Sequence, residues 1–229
     1  MSEQVRTMFA EIAPHYDSMN TILSFGIHHL WRKKAVRVSG AKPGMDVLDC
    51  ATGTGDLAIE FKKNVGNGRV VGTDFCAEML EFAPAKALKE NVKVEFSVAD
   101  AMNLPFKDNE FDISSISFGI RNVDVPVRAL SEMARVVKPG GKVVVLEFGQ
   151  PKGVFNILYK TYSKYIMPAI GSLFAKHRAA YEYLPQTAAK FPCREEFLKL
   201  MNETGSFKSA KYYPLTFGVA YLYVGEVSE

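Results

Sequence analysis

The chain has 229 residues, of which 48% are hydrophobic and 23% are charged, and its formal net charge is +3. This composition excludes disordered, collagenous and low-complexity proteins and predicts one globular domain over residues 1–229. The weak positive charge does not indicate a nucleic-acid partner, and we expect none. The three widely spaced cysteines form no C-x-x-C pair, so we expect neither disulfides nor a metal site. No leader or spanning stretch is recognisable, which predicts a cytoplasmic protein.

Two amphipathic helices are predicted in the N-terminal segment. The first stripe of apolar residues at helical spacing consists of Val5, Met8, Phe9 and Ile12. The second stripe begins with Ile27, Leu30, Trp31 and Ala35. Pro14 lies between the stripes and separates the two predicted helices.

From residue 45 onward, short β-branched runs alternate with stretches that suit crossover helices. The runs are residues 47–48, 70–72, 92–96, 112–118 and 143–148. This alternation predicts an α/β protein with a parallel, doubly wound sheet. The clearest helix follows Asp124, its expected N-cap, and should stop at residues 139–141, Pro-Gly-Gly. Two final runs, 208–215 and 217–227, are too close for a crossover helix and should pair antiparallel.

A glycine-rich loop follows the first predicted strand, where a doubly wound sheet binds nucleotides. In the pattern G-x-G-x-x-A, Gly53, Gly55 and Ala58 occupy the fixed positions. Asp74 lies 21 residues beyond Gly53, about where a ribose-binding acid is expected. The motif suits both NAD and S-adenosylmethionine, and a tight turn without a ligand is the remaining alternative.

Three features favour S-adenosylmethionine over NAD. Asp49, just before the loop, would repel a pyrophosphate but attracts a positively charged sulfonium. Asp100 and Ala101 close the third strand, where the carboxylate can accept a hydrogen bond from an adenine amino group. The terminal strand pair also differs from the two repeated halves of a dinucleotide fold.

Several motifs are shared with a known family. Two narrow motifs lie at 9–20, FAEIAPHYDSMN, and at 116–123, ISFGIRNV; broader ones are the glycine loop and 138–141, KPGG. Together they make the chain similar to the ubiquinone/menaquinone biosynthesis C-methyltransferases, a family of class I methyltransferases. The resemblance implies a mostly parallel seven-stranded sheet of order 3-2-1-4-5-7-6 with strand 7 antiparallel. It also implies methyl transfer from S-adenosylmethionine to a ring carbon of a polyprenylated quinol; the alternative is a soluble, non-quinone acceptor.

The domain is expected to divide into four segments. Residues 1–40 form N-terminal lid helices, and 45–150 form the cofactor-binding core. Residues 151–190 form a helical lid insertion, and 191–229 form a C-terminal helix and the strand pair. A monomer and a homodimer are both compatible with the sequence.

The resemblance places the cofactor contacts at Thr54, Asp74, Asp100, Ala101 and Ser117. Asp49, Gly53 and Gly55 are added from the glycine loop itself. These contacts are predicted because each follows a strand of the expected sheet on its ligand-binding edge.

Arg121 and Tyr16 are the predicted catalytic residues. Arg121 can stabilise a phenolate or position a water that takes the proton; the alternative is an ion pair with Asp124. Tyr16 is expected either to donate a hydrogen bond to the substrate or to pack as part of the lid. For His15 and His28 a capping or packing role is favoured over an acid–base role.

The segment 152–178 is strongly basic and rich in aromatic residues. No acidic residue lies between Glu147 and Glu182. The five basic residues of the segment are Lys152, Lys160, Lys164, Lys176 and Arg178. This composition suits contact with an anionic membrane surface, and a lid helix with a core-facing apolar side is the alternative. With a prenyl-tailed substrate, we expect peripheral membrane association.

Overall fold

The computed structural model describes residues 3–162, 183 and 186–229. Its strands form one seven-stranded sheet of order β3-β2-β1-β4-β5-β7-β6. The strands are β1 Val47–Cys50, β2 Val70–Asp74, β3 Glu95–Val98, β4 Phe111–Ser117, β5 Val137–Phe148, β6 Phe207–Leu215 and β7 Ala220–Val227. Neighbours among β1 to β5 pair parallel, and β7 is antiparallel to both β5 and β6. The expected strand order and the reversed last strand are confirmed.

Helices cover both faces of the sheet. They are α1 Glu3–Ile12, α2 Tyr16–Ser24, α3 Ile27–Ser39, α4 Asp56–Val65, α5 Ala77–Leu80, α6 Ala83–Lys89, α7 Pro126–Arg135, α8 Gly153–Thr161 and α9 Glu195–Glu203. Trp31 of α3 and Phe61 of α4 are buried on one face, and Leu130 of α7 and Phe197 of α9 are buried on the other. Each such side chain contributes about 1.5–3 kcal/mol by leaving water, which fixes the helices against the sheet.

The N-terminal segment contains a helix that the sequence pattern missed. Helix α2 lies between the two predicted helices and follows a 3-10 turn, Ala13–His15, that contains Pro14. Its apolar residues Tyr16, Met19 and Leu23 do recur at helical spacing, but α2 has only nine residues and begins two residues after Pro14, so this single repeat was not recognised as a helix. Phe25 and Gly26, both with left-handed backbone angles, end α2 and start α3.

The predicted bounds of α7 are wrong at both ends. The helix begins at Pro126 after Val125, so Asp124 is not its N-cap. It ends at Arg135, and residues 139–141 lie inside β5 rather than beyond a helix. A Cβ at Gly141 would lie 2.5 Å from the carbonyl oxygen of Asp112, so glycine there allows β5 to approach β4 at a register shift.

Parts of the predicted helical insertion are described. Helix α8 and the helical residues 186–190 belong to it, whereas 163–182 and 184–185, with Lys164, Lys176 and Arg178, lie outside the described residues. Over the described ranges, no helix is long and apolar enough to cross a membrane.

Candidate active site

Two adjoining cavities lie at the carboxyl ends of the central strands. We call the smaller one, of about 70 Å³, the strand-end cavity, because residues following β1, β2, β3 and β4 line it. We call the larger one, of about 320 Å³, the aromatic cavity; its walls include the rings of Trp31, Phe118 and Phe148. Phe9, Tyr16 and Phe118 line both cavities and therefore form their shared wall. This edge is where open α/β sheets bind ligands.

Asp74 connects the glycine loop to the strand-end cavity. Its Oδ2 accepts the backbone N–H of Gly53 at 2.8 Å, and its Oδ1 accepts the N–H of Cys76 at 2.8 Å. Burial raises the pKa of Asp74, and these two N–H groups oppose the shift. Gly53 has φ +59, and a Cβ there would lie 3.2 Å from the Met79 methyl. Asp74 thus holds the loop, and its remaining lone pairs can accept hydroxyl groups of a ligand.

Asp100, Ala101 and Ser117 line the same strand-end cavity, as predicted for ligand contacts. Asp100 is held by the backbone N–H of Met102, which donates to its Oδ1 at 2.9 Å. The Ser117 hydroxyl oxygen is buried and has no hydrogen-bond partner among the described residues. A buried polar atom of this kind is normally satisfied, so a ligand in this cavity would supply the missing partner.

Two predicted loop residues face the protein interior and do not line either cavity. Asp49 is 1% exposed and accepts hydrogen bonds from the hydroxyls of Ser115 at 2.7 Å and Thr52 at 2.6 Å. Burial raises the pKa of Asp49 to about 6, although both hydroxyls oppose the shift. Gly55 packs so closely on Phe96 that a Cβ would lie 3.1 Å from its ring. Both residues therefore support the loop from the side that faces the protein interior.

Thr54 belongs to a polar cluster that connects the loop to the N-terminal helices. Its hydroxyl donates to Asp17 Oδ1 at 2.6 Å and accepts from Lys86 Nζ at 2.9 Å. Lys86 also pairs with Asp17 Oδ2 at 2.6 Å and with Asp56, whose other oxygen lies 3.0 Å from Arg32. Although burial raises the pKa of Asp56, the two cations lower it overall. Thr54 thus contacts protein groups and is not among the residues that line the strand-end cavity.

Arg121 lies in the wall of the aromatic cavity, and its ion-pair partner is Glu147 rather than Asp124. Its Nη1 donates to Glu147 Oε1 at 2.7 Å and to the Phe118 carbonyl at 2.7 Å. The guanidinium carbon lies 5.3 Å from the centre of the Phe148 ring. Burial raises the pKa of Glu147, and Arg121 opposes the shift. Arg121 Nε is buried without a partner in the described part of the chain, so it can donate to an oxygen within the cavity.

Tyr16 stands between the two cavities. Its ring meets Phe9 edge to face, with 6.3 Å between ring centroids. Burial raises the pKa of Tyr16, so its hydroxyl stays protonated at neutral pH and can donate a hydrogen bond. His28, for which a packing role was favoured, is buried and also lines the aromatic cavity. His15 does not line either cavity.

Sequence reasoning missed Glu147 as the partner of Arg121 and missed the cluster around Lys86. In both cases the partners are far apart in the chain: 26 residues for Arg121 and Glu147, and 69 for Asp17 and Lys86. In the sequence, Glu147 is the last acidic residue before the basic segment, but no sequence signal indicated its partner.

Sequence comparisons match the chain along almost its full length. A model of the ubiE/COQ5 methyltransferase family matches residues 1–226. The chain is 58% identical to the ubiquinone/menaquinone biosynthesis C-methyltransferase UbiE of Bdellovibrio bacteriovorus, covering 98% of this chain and 96% of that protein. It is 45% identical to the demethylmenaquinone methyltransferase of Thermus thermophilus, covering 96% and 99% respectively.

Solved structures resemble the chain in fold. A S-adenosylmethionine-dependent methyltransferase of Thermotoga maritima, described as a possible histamine N-methyltransferase, gives a TM-score of 0.68 at 22% identity, covering 96% of this chain and 98% of that one. The [4+2]-cyclase SpnF gives 0.70 at 17% identity, covering 100% and 97%. At these identities the likeness concerns the arrangement of strands and helices.

Proposed function

Because the chain belongs to the ubiE/COQ5 methyltransferase family and is an S-adenosylmethionine-dependent methyltransferase, we propose that it methylates a ring carbon of a polyprenylated quinol in respiratory quinone biosynthesis. One observation carries this proposal. A cavity of about 320 Å³, lined mainly by aromatic and aliphatic side chains, adjoins the strand-end cavity, which Asp74 and Asp100 line. An apolar space of this size suits an aromatic ring with the start of a prenyl tail.

The cofactor is placed in the strand-end cavity. There Asp74 accepts the ribose hydroxyls, Asp100 and Ala101 contact the adenine edge, and the unpartnered Ser117 hydroxyl finds its missing partner. When bound, the cofactor supplies a methyl group that its sulfonium has already activated. The buried Asp49 carboxylate lies behind the loop and favours a positive charge nearby.

The substrate ring is placed in the aromatic cavity beside the shared wall. Arg121 Nε and the Tyr16 hydroxyl donate hydrogen bonds to a ring oxygen and stabilise it as a phenolate. Ionisation of that oxygen raises the electron density on the adjacent ring carbon, which makes this carbon a better nucleophile. The bond that this carbon forms to the methyl group replaces the methyl–sulfur bond, which leaves S-adenosylhomocysteine. The same carbon then releases its hydrogen as a proton to water, which restores the aromatic ring. A guanidinium offers donors but no acceptor, so the hydroxyl proton passes to a water.

Peripheral association with an anionic membrane surface, on the cytoplasmic side, is part of the same proposal. It is supported by the five basic residues and the absence of acidic ones in segment 152–178. Phe155, Tyr159 and Tyr162 line the aromatic cavity, so the described part of this segment contributes to the proposed substrate site.

The test of the function is methylation of a defined acceptor. The purified protein is incubated anaerobically with S-adenosylmethionine and a demethylated prenyl naphthoquinol or benzoquinol, and the product is analysed by mass spectrometry. We expect one added methyl group on a ring carbon, and no product without cofactor. Higher kcat/KM for a soluble phenolic acceptor than for both quinols would overturn the quinol assignment.

A further inference from the structure

A serine and a histidine form a close pair in the wall of the aromatic cavity. Ser24 ends α2, His28 lies in the first turn of α3, and both line the cavity. The left-handed backbone of Phe25 and Gly26 reverses the chain between them. The Ser24 hydroxyl oxygen lies 2.5 Å from Nδ1 of His28.

The hydrogen bonds of Ser24 determine which nitrogen of His28 carries the proton. The Ser24 hydroxyl donates its single hydrogen to the carbonyl oxygen of Asn20 at 2.6 Å. Toward His28 it can therefore only accept, so Nδ1 must be the protonated nitrogen. In the neutral ring Nε2 is then an acceptor, and no described residue donates a hydrogen bond to it.

The surroundings of His28 keep its ring neutral. The side chain is buried, with 4% of the residue exposed, and its ring lies 3.9 Å from that of His29. Burial, together with the electrostatic effects of Arg32, His29 and Lys86, lowers the pKa of His28 to about 4, and Asp56 opposes the shift. Nε2 therefore remains an acceptor throughout the neutral pH range.

We propose that Nε2 of His28 accepts a hydrogen bond from a ring hydroxyl and thereby selects the reduced quinol over the oxidised quinone. The two redox forms have nearly the same shape, but a quinol oxygen carries a hydrogen and a quinone oxygen only accepts. A bound quinone would place its oxygen against the lone pair of Nε2. The quinone oxygen and Nε2 are both acceptors, so both would lack a hydrogen-bond partner, which weakens quinone binding. Ser24 acts as a positioning residue, because it holds the ring in the accepting tautomer. This inference rests on the proposed function, which already takes the quinol as substrate, and it names the residue that distinguishes the quinol from the quinone.

Binding of both redox forms is measured through Trp31, the chain's single tryptophan, which lines the aromatic cavity. The probes are a short-tailed 2-prenyl-1,4-naphthoquinone and its quinol, titrated anaerobically in the presence of S-adenosylhomocysteine. The measured quantity is the ratio of the quinone Kd to the quinol Kd. For the wild type we expect this ratio to exceed one.

Ser24→Ala removes the acceptor of the Nδ1 proton, so the ring is free to carry its proton on Nε2 and to donate to a quinone oxygen. We expect the ratio to fall about 3- to 10-fold, the range for one neutral hydrogen bond. His28→Gln, whose amide can also donate, should lower the ratio similarly. Ser24→Thr keeps the hydroxyl and is the matched control, with a ratio within about twofold of the wild type.

An unchanged ratio in Ser24→Ala and His28→Gln variants that still unfold cooperatively would overturn the role of His28. Equal affinity of the wild type for the two forms would overturn the selection itself. If neither probe changes the Trp31 fluorescence of the wild type, the proposed substrate class fails as well, so the two failures are distinguishable.

Discussion

Arg121 is part of a buried ion pair, lines the aromatic cavity and has an Nε donor without a partner among the described residues. Both its side chain, 5% exposed, and that of Glu147, 1% exposed, are withdrawn from solvent. Removing one member of such a pair leaves an uncompensated charge and costs about 3–5 kcal/mol of stability. A substitution that keeps the charge is therefore needed to separate the catalytic role of Arg121 from its structural one.

Arg121→Lys retains a cation for Glu147 but removes the Nε donor and the planar group over Phe148. We expect kcat to fall about 10- to 100-fold, while the Kd for S-adenosylmethionine stays within about twofold. Arg128→Lys, at an arginine outside both cavities, is the control for the substitution itself. Loss of cofactor affinity in parallel with kcat would instead assign Arg121 a structural role alone.

Asp49 couples the stability of the protein to pH. Its pKa is about 6 in the folded chain and about 3.9 in the unfolded chain, so the folded state binds the proton more tightly. The contribution of Asp49 to stability is therefore most favourable below pH 4 and declines as the pH rises to about 6. The difference of about two pKa units corresponds to at most about 3 kcal/mol at pH 7.

Asp49→Asn removes this titration while keeping the size of the side chain. We expect the free energy of unfolding of the variant to increase relative to that of the wild type between pH 4.5 and 7, by about 2 kcal/mol. Urea unfolding at several pH values measures this difference. Glu81→Gln, at an exposed glutamate, serves as the control. A difference between Asp49→Asn and wild type that is constant across this pH range would contradict the raised pKa.

At the scale of elements, the polar cluster around Lys86 fastens α2 to the glycine loop and to α6. Helix α2 buries only Met19, so this attachment matters more for α2 than for the well-packed helices α7 and α9. The Asp17 and Lys86 side chains are partly exposed, 42% and 27%, which limits their ion pair to about 1 kcal/mol. We therefore expect α2 to open locally without unfolding of the sheet.

Thr54→Val removes the hydroxyl that bonds to Asp17, whereas Thr54→Ser keeps it. Amide hydrogen exchange in α2 should be about 3- to 10-fold faster in the valine variant and near wild type in the serine variant. Exchange in α9, on the opposite face of the sheet, should be unchanged in both variants. Equal exchange rates of α2 in the two variants would mean that the Thr54 hydroxyl does not hold this helix.

The central strands β1, β2 and β4 were predictable because their short apolar runs are buried, and few topologies satisfy right-handed crossovers. The edge strand β3 is mostly exposed and begins at Glu95, three residues later than the run that predicted it. The strand order also predicts that ligands bind at the carboxyl ends of the central strands. Asp74, Asp100 and Ser117 do line one cavity at that edge of the sheet. Helix α2 was missed because its nine residues offer only one apolar repeat directly after Pro14, and residues 139–141 lie within a strand although they read as a helix stop. The pairing of Arg121 with Glu147 depends on how β5 packs beside the residues after β4, which local sequence does not encode.

At the scale of the whole molecule, the aromatic cavity opens near exposed apolar side chains. Phe25 and Phe217 are each 76% exposed, and both have left-handed backbone angles in turns. Phe25 lines the aromatic cavity, and the ring of Phe217 lies 4.8 Å from that of Phe155, another lining residue. The turn that carries Phe217 is tied to α3, because Trp31 Nε1 donates to the Thr216 hydroxyl at 3.0 Å. These positions would allow a prenyl tail to pass from a lipid surface into the cavity.

Membrane attachment should be reversible and dependent on the lysines of segment 152–178. Each basic residue near an anionic surface contributes about 1 kcal/mol, so the segment gives weak binding that salt reduces. We expect the combined change Lys160→Gln, Lys164→Gln and Lys176→Gln to release the protein from anionic vesicles in a sedimentation assay. It should also raise the KM for membrane-embedded quinol and leave methylation of a short-tailed, water-soluble analogue unchanged.

The matched control replaces three exposed lysines outside the segment, Lys89, Lys93 and Lys199, by glutamine. It also removes three positive charges from a net charge of +3. A difference in vesicle binding between the two variants is therefore due to the position of the lysines rather than to the total charge. If both variants sediment like the wild type, the lysines do not carry the attachment, and the segment is better described as a lid whose apolar side faces the cavity. If both variants are released equally from the vesicles, the attraction to the membrane depends on net charge alone. The position of the lysines in segment 152–178 then makes no difference.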